Sequence, residues 1–169
     1  AAENLGKLKS SEAIPHLLKA MHYQDLLLQF TILDALSRIA SPVSLNDLLP
    51  YKDEKLLRKA LIDCLGKAGD DSAVAELVVS LTDPMRNVRE AAILALVAIH
   101  SRYPDVVAQQ LSQSEKGPAA VAVSGYLDDE YAEPLKRATL RILGWLGDSD
   151  SVLPLLKMLD YESLQQEAL

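Results

Sequence analysis

LLRKALIDCLGKAGD, residues 56–70, decides the fold, because its spacing of apolar and small residues returns along the chain. Laid over it, LQFTILDALSRIAS (28–41), VREAAILALVAIHSR (88–102) and LKRATLRILGWLGD (135–148) keep three columns. The first reads Leu28, Leu57, Val88 and Leu135; the second Ile32, Leu61, Ala92 and Thr139; the third Leu36, Leu65, Leu96 and Leu143. Steps of four residues between columns put them on one stripe of a helix. The first column advances by 29, 31 and then 47 residues. A period near thirty made of paired helical segments marks a helical solenoid, in which each unit buries its apolar face only by stacking on its neighbours.

Composition agrees. At 169 residues with 49% hydrophobic content the chain has ample material for a continuous core, which excludes a disordered segment. Aromatics are only 5%, so the core is thin and aliphatic, suited to close helix packing. A net charge of −7 argues against a chain built to neutralise a phosphate backbone. One cysteine, Cys64, closes no intrachain disulfide, and no leader resembling a signal peptide opens the sequence, so a reducing, cytoplasmic setting is expected. No apolar run approaches the roughly 18 to 20 residues of a membrane span.

Each unit reads as a first helix, A, and a second, B. The A helices are 11–22, a short 44–49, 71–82 and 150–160, each opening on Ser or Asp, whose oxygens cap a first turn. Pro15 and Pro154 are expected near those starts, where a missing N–H does least harm. Gly69 and Gly147 are expected to be left-handed stops after B helices. The long step leaves Tyr103 to Tyr131 as an irregular insertion of two more helices, PDVVAQQLSQ and PAAVAVSGYL. The B helix before it carries Ile93, Leu94, Val97 and Ala98 away from its core stripe, and the insertion is the nearest candidate to cover them. AAENLGKL at the start matches the middle of a B helix and YESLQQEAL at the finish its opening half. The expectation is a single array over 1–169, excised from a longer protein, whose apolar ends invite head-to-tail self-association.

At these columns the chain resembles HEAT-repeat proteins, and the LGKAGD and LGWLGD closings are most similar to the bacterial, phycobilisome-lyase type of HEAT-like repeat. The sharpest match is TDPMRNVREAAILAL, with Asp83 in the turn, then Val88 and Arg89. Arg58 and Lys136 keep the basic column, whereas Gln29 and Gln165 are neutral. The resemblance implies an all-α, right-handed α-α superhelix, a HEAT/armadillo-like solenoid of four to five repeats, with B helices lining a concave surface. In that setting Asp83 and Arg89 form an ion-pair ladder from turn to B helix in this and the next repeat.

No catalytic constellation emerges. His16, His22 and His100 stand in different helices without Cys-x-x-Cys spacing, and the His-Glu dipeptides used by iron-binding hydroxylases of similar repeats are absent, so no metal site is expected. Cys64 stands in a core column as a small hydrophobe. There is no Gly-rich phosphate loop and no nucleophile elbow, hence no cofactor and no enzyme activity are expected. Asp128, Asp129, Glu130 and Glu133 make an acidic knot without calcium-loop spacing.

Rotation of the B helices by 100° per residue places Phe30, Asp34, Lys55, Lys59, Asp63, Arg86, Glu90, Arg137 and Arg141 opposite the core, flanked by Trp145. These are the expected partner-binding residues: Arg offers bidentate recognition and the aromatics offer anchors. The expected function is a non-enzymatic protein-protein interaction scaffold with an unidentified protein partner. The alternatives are a subunit of a phycobilin lyase-like enzyme, implied by the resemblance, and a nucleic-acid-binding module, which the interrupting acids oppose.

Overall fold

The computed structural model describes residues 1–128, 130–159 and 164. Among these residues the secondary structure is helical, apart from an isolated bridge between Val43 and Gly69. The expected B helices are α1 (Ala2–Leu8), α3 (Leu26–Ile39), α5 (Lys55–Ala68), α7 (Arg86–His100) and α10 (Glu133–Leu146). The A helices are α2 (Ile14–Ala20), α4 (Leu45–Leu48), α6 (Ala73–Val79), α8 (Pro104–Gln113), α9 (Lys116–Ser124) and α11 (Ser149–Met158). Each B helix packs along the next, α1 on α3, α3 on α5, α5 on α7 and α7 on α10, while the A helices form a second layer. This is the two-layer helical solenoid that the repeat predicts.

The columns build its core. Ile32, Leu36, Leu57, Leu61, Leu65, Val88, Ala92, Leu96 and Leu143 are buried in one continuous cluster with Leu17, Leu48, Leu77 and Leu81 from the A side. Burying each large aliphatic side chain is worth about 1.5–3 kcal/mol, which outweighs the modest helix preference of any one short segment. Thr139 occupies the second column of α10, fully buried, and its hydroxyl lacks a hydrogen-bond partner among the described residues.

Small residues set the distance between B helices. Gly66 of α5 lies so close to Ala95 of α7 that a Cβ on it would fall 2.5 Å from the Ala95 Cβ. Gly6 of α1 approaches Ala35 of α3 in the same register, with a Cβ position 2.9 Å from the Ala35 Cα. Between α3 and α5 the corresponding pair is Ser37 and Cys64, both buried. Between α7 and α10 it is Val97 and Ile142, and these two helices make the sparsest contact in the layer, since helix separation follows the bulk of the residues at the crossing.

Several boundaries differ from expectation. Gly147 is left-handed at φ 57, but Gly69 is extended at φ −63 and ψ 148. Its missing side chain serves a close approach instead: a Cβ there would lie 2.4 Å from the Leu65 carbonyl oxygen and 2.7 Å from the Ala73 Cβ. The backbone around it is tied to the neighbouring loop, Val43 donating to the Ala68 carbonyl at 2.6 Å and Asp70 to the Val43 carbonyl at 3.1 Å. Pro15 sits in the first turn of α2, whereas Pro154 is inside α11. Capping falls to Ser44, which accepts from Asn46 N, and to Asp148, which accepts from Asp150 N and lies two residues before the Asp150 expected to open this helix. In the same way Asp70, not Asp71, accepts from Ser72 N.

The insertion takes the A position of its repeat. Helix α8 packs on α6 and α7, and α9 packs on the 3₁₀ turn Ser80–Thr82, on α10 and on α11. It therefore does not cover the outer side of α7, where Leu94 and Ala98 remain exposed and Val97 half-buried. Ile93 is buried. Helix α7 is apolar nearly all round because it has B neighbours on both flanks and the A layer behind it, a helix in the middle of an array. The B-helix opening read in YESLQQEAL, and Gln165 with it, lies outside the described residues except for Leu164.

Candidate functional site

Two polar systems organise the repeats, one between the layers and one on the open side of the B layer. The first begins with the residue after the first inward column. Arg58 donates through Nη1 to the carbonyl of Lys52 at 3.3 Å, and Arg89 through Nη1 to the carbonyl of Asp83 at 2.7 Å. Buried Gln29 donates through Nε2 to the carbonyls of Tyr23 at 3.1 Å and Met21 at 2.9 Å. Each donor reaches the carbonyl six residues earlier, in the turn that leads into its helix. Gln29 thus does the work of the basic column without its charge, and what the position requires is an N–H donor on a long side chain.

The ladder expected from Asp83 to Arg89 has another geometry. The Asp83 carboxylate, fully buried, accepts from Arg58 Nε at 2.5 Å and from Met85 N at 2.8 Å, so its ion pair reaches back to the preceding B helix. Arg89 bonds the turn through its backbone carbonyls and reaches forward, donating through Nε to Tyr126 Oη at 3.0 Å. Tyr126 in turn donates to the Arg86 carbonyl at 3.3 Å. Arg102, at the end of α7, closes the C-terminus of α5 by donating to the carbonyls of Gly66, at 2.9 Å, and Lys67. These contacts connect successive repeats and align them.

The second system is the exposed B face. On each full B helix it consists of the positions two before and two, six and ten after the first inward column. They are Leu26, Phe30, Asp34 and Arg38 on α3, Lys55, Lys59, Asp63 and Lys67 on α5, Arg86, Glu90, Leu94 and Ala98 on α7, and Glu133, Arg137, Arg141 and Trp145 on α10. Glu3 and Lys7 extend the face onto α1. Much of its charge is paired along the same helix at a spacing of four residues: Lys7 with Glu3 at 2.7 Å, Arg38 with Asp34 at 2.8 Å, Lys59 with Asp63 at 2.6 Å, Arg86 with Glu90 at 2.9 Å and Arg137 with Glu133 at 2.7 Å. Such exposed pairs stabilise a helix by only about 0.3–0.5 kcal/mol each, so a partner can exchange them cheaply. Lys55 and Lys67 have no ion pair among the described residues. Arg38, Lys67, Glu133 and the α1 pair escaped the sequence reading, which followed the column opposite the core but not its full extent along each helix.

Charge separates strongly between this face and the rest. The face carries eight of the 17 basic residues and only five of the 24 acidic ones, a net +3 in a chain of −7, which leaves −10 elsewhere. Arg86 also lies over the Tyr131 ring, 4.8 Å from its centroid, and within 3.6 Å of Glu130; Glu90's hydrogen bond holds its guanidinium more firmly protonated than usual. Trp145 is half-buried and stacked on His100 at 4.1 Å, bracing α10 against α7 at their loosest contact. Phe30, by contrast, is exposed. Between α5 and α7 lies a depression of about 230 Å³ lined by Asp63, Gly66, Lys67, Leu94, Ala95 and Ala98.

Cys64 is fully buried, and desolvation pushes its thiol up to about 12, so the nucleophilic thiolate is absent at neutral pH. Native protein is accordingly expected to leave Cys64 unmodified by a thiol-reactive disulfide dye over hours, with one equivalent reacting on unfolding; rapid native labelling would show that the α3–α5 seam opens. The acidic knot is divided: Glu130 meets Arg86, Glu133 meets Arg137, and Asp129 lies outside the described residues. No group of three or more His, Cys, Asp or Glu side chains among the described residues is placed to hold a metal ion. No helix among them is long and apolar enough to cross a membrane.

Comparison with known families gives two matches. Residues 51–119 match a model of HEAT repeats, and residues 1–23 match the PBS lyase HEAT-like repeat. No curated protein matches the chain. The first match spans α5 to α8 with the Asp83 and Arg89 system at its centre, and the second covers the α1 stub and the A helix after it. With its stacked A and B helices and these matches, the chain belongs to the HEAT-repeat proteins.

Proposed function

We propose that this chain is a non-enzymatic scaffold module that holds a protein partner along the exposed face of its B helices. The observation that carries the reading is the separation of charge, +3 on that face against −10 over the remainder. Solubility alone would not require it, since scattered charges of either sign serve that end. An extended solenoid also offers a partner many weak contacts along one rigid surface. The reading fits a reducing cytoplasm, supported by a single buried thiol.

Affinity capture from a lysate of the source cell tests it, comparing the native chain with a Lys59→Glu, Arg137→Glu, Arg141→Glu variant of matched thermal midpoint. A specific protein retained by the native chain and lost by the variant is expected. Equal recovery by both would remove the B face from consideration.

A second reading rests on the match of residues 1–23 to the PBS lyase HEAT-like repeat, namely a subunit of a phycobilin lyase-like enzyme. A shift in visible absorbance on adding phycocyanobilin would support it, and an unchanged spectrum across a titration would discard it. For nucleic acid the face is less suited, because Asp34, Asp63, Glu90 and Glu133 stand among its cations.

A further inference from the structure

At the N-terminal ends of α3 and α5 the B face carries an apolar patch. Leu26, Leu27 and Phe30 on α3 and Leu56 on α5 are 43%, 77%, 51% and 71% exposed. Leu27 and Leu56 each precede an inward residue, Leu28 and Leu57, and so hold the same register on adjacent helices. Packed helices lie about 8–10 Å apart, and Leu26 and Phe30 follow one another at a spacing of four residues on one helix. The four side chains therefore form one surface. Contiguous exposed apolar surface rimmed by polar residues marks interaction sites.

Lys55 and Lys59 border this patch from α5. Among the described residues Lys55 has no ion pair, and Lys59 pairs with half-buried Asp63 at 2.6 Å. We infer that the patch docks an acidic amphipathic segment of another protein, whose apolar residues at helical spacing cover Leu27, Phe30 and Leu56 while its carboxylates pair with Lys55 and Lys59. Charge complementarity selects this occupant: the patch lies on a face of net +3 in an acidic chain, and of the acids at its edge Asp25 and Glu54 already accept from the amides of Leu28 and Leu56, which leaves Lys55 and Lys59 to draw carboxylates to it. A buried apolar centre inside a polar, charged rim is also the arrangement of an energetic interface core. The inference rests on the reading of the B face as a partner surface.

The test is selection of a random-sequence 15-residue peptide library on the full chain, followed by fluorescence anisotropy of a recovered peptide. Recovered sequences are expected to be net negative, with Leu, Phe or Trp three or four residues apart. Their affinity is expected to fall at least tenfold with Leu27→Ser, Leu56→Ser and again with Lys55→Glu, Lys59→Glu. All four residues are exposed, and far-UV circular dichroism keeps a folding defect distinct from lost binding. Recovery of net-positive peptides, of none, or of peptides indifferent to both variants would overturn the inference. Loss of a lysate partner on reversing Arg137 and Arg141, with the Leu27 and Leu56 variant fully competent, would overturn the patch while leaving the B face in place. Self-association abolished by the leucine variant would assign the patch to a second copy and equally overturn it.

Discussion

Asp83→Ala is expected to destabilise the protein by about 3 kcal/mol, at the lower end of the range for breaking a buried ion pair because Arg58 keeps some contact with water. The carboxylate is fully buried and takes two donors at once, Arg58 Nε from the preceding B helix and Met85 N at the entry of α7. Its removal leaves the Arg58 Nε–H and a helix N-terminal amide without acceptors and the guanidinium without its counter-charge, and orphaned groups of this kind cost more than the lost bonds alone. At about 2–4 °C per kcal/mol for a chain of this size, the thermal midpoint should fall by roughly 6–12 °C. Asp83→Asn retains an acceptor for Met85 and gives up only the charge, so it should cost about half as much. Combined with Arg58→Ala, the cycle should show coupling of at least about 1 kcal/mol. Additive effects would mean that the two repeats are aligned by apolar packing alone.

Gly66 and Gly144 occupy one motif position, LGK and LGW, yet alanine should act on them with opposite sign. Within a helix, Gly→Ala ordinarily stabilises by about 0.5–1 kcal/mol through lost backbone freedom in the unfolded chain. Among the described residues nothing lies within 4 Å of the Gly144 Cβ position, and that ordinary gain is expected. At Gly66 the new methyl would meet Ala95 at 2.5 Å for Cβ and 2.6 Å for Cα. The second contact is backbone, so relief demands that α5 and α7 move apart, and overpacking of this kind costs about 1–3 kcal/mol. The net expectation for Gly66→Ala is about 2 kcal/mol of destabilisation by denaturant titration. Stabilisation by both substitutions would show that the B helices separate without penalty.

Periodicity made the solenoid legible, since the inward columns are set by burial and burial dominates the energetics of a two-layer array. The boundaries were less legible where one residue type serves two ends. Gly69 reads as a left-handed stop, but its role is a close approach to Leu65 and Ala73, which depends on a loop from the preceding repeat. Gln29 reads as a break in the basic column, although it keeps the bond to the carbonyl six residues earlier, because that bond needs only an N–H donor of sufficient reach; charge is used where Arg58 also meets Asp83. The partner of Asp83 was misassigned for the same reason: sequence spacing shows which residues share a turn and cannot show that Arg58, 25 residues earlier, reaches it. On the B face the sequence identifies the charged positions opposite the core but does not single out Leu27 and Leu56. They adjoin Leu28 and Leu57 in uninterrupted leucine runs, and only the rotation of the packed helices shows which leucine of each run faces out.

The central claim, that the B face receives the partner, is tested most directly by lysine footprinting of the chain with and without the protein captured from lysate. Lys55, Lys59 and Lys67 on α5 are exposed on that face, while Lys9, Lys19 and Lys157 are exposed outside it. The account predicts that the partner protects the first three from acetylation at least several-fold and leaves the other three at their free rates. Protection confined to Lys9, Lys19 or Lys157, with α5 as reactive as in the free chain, would contradict it.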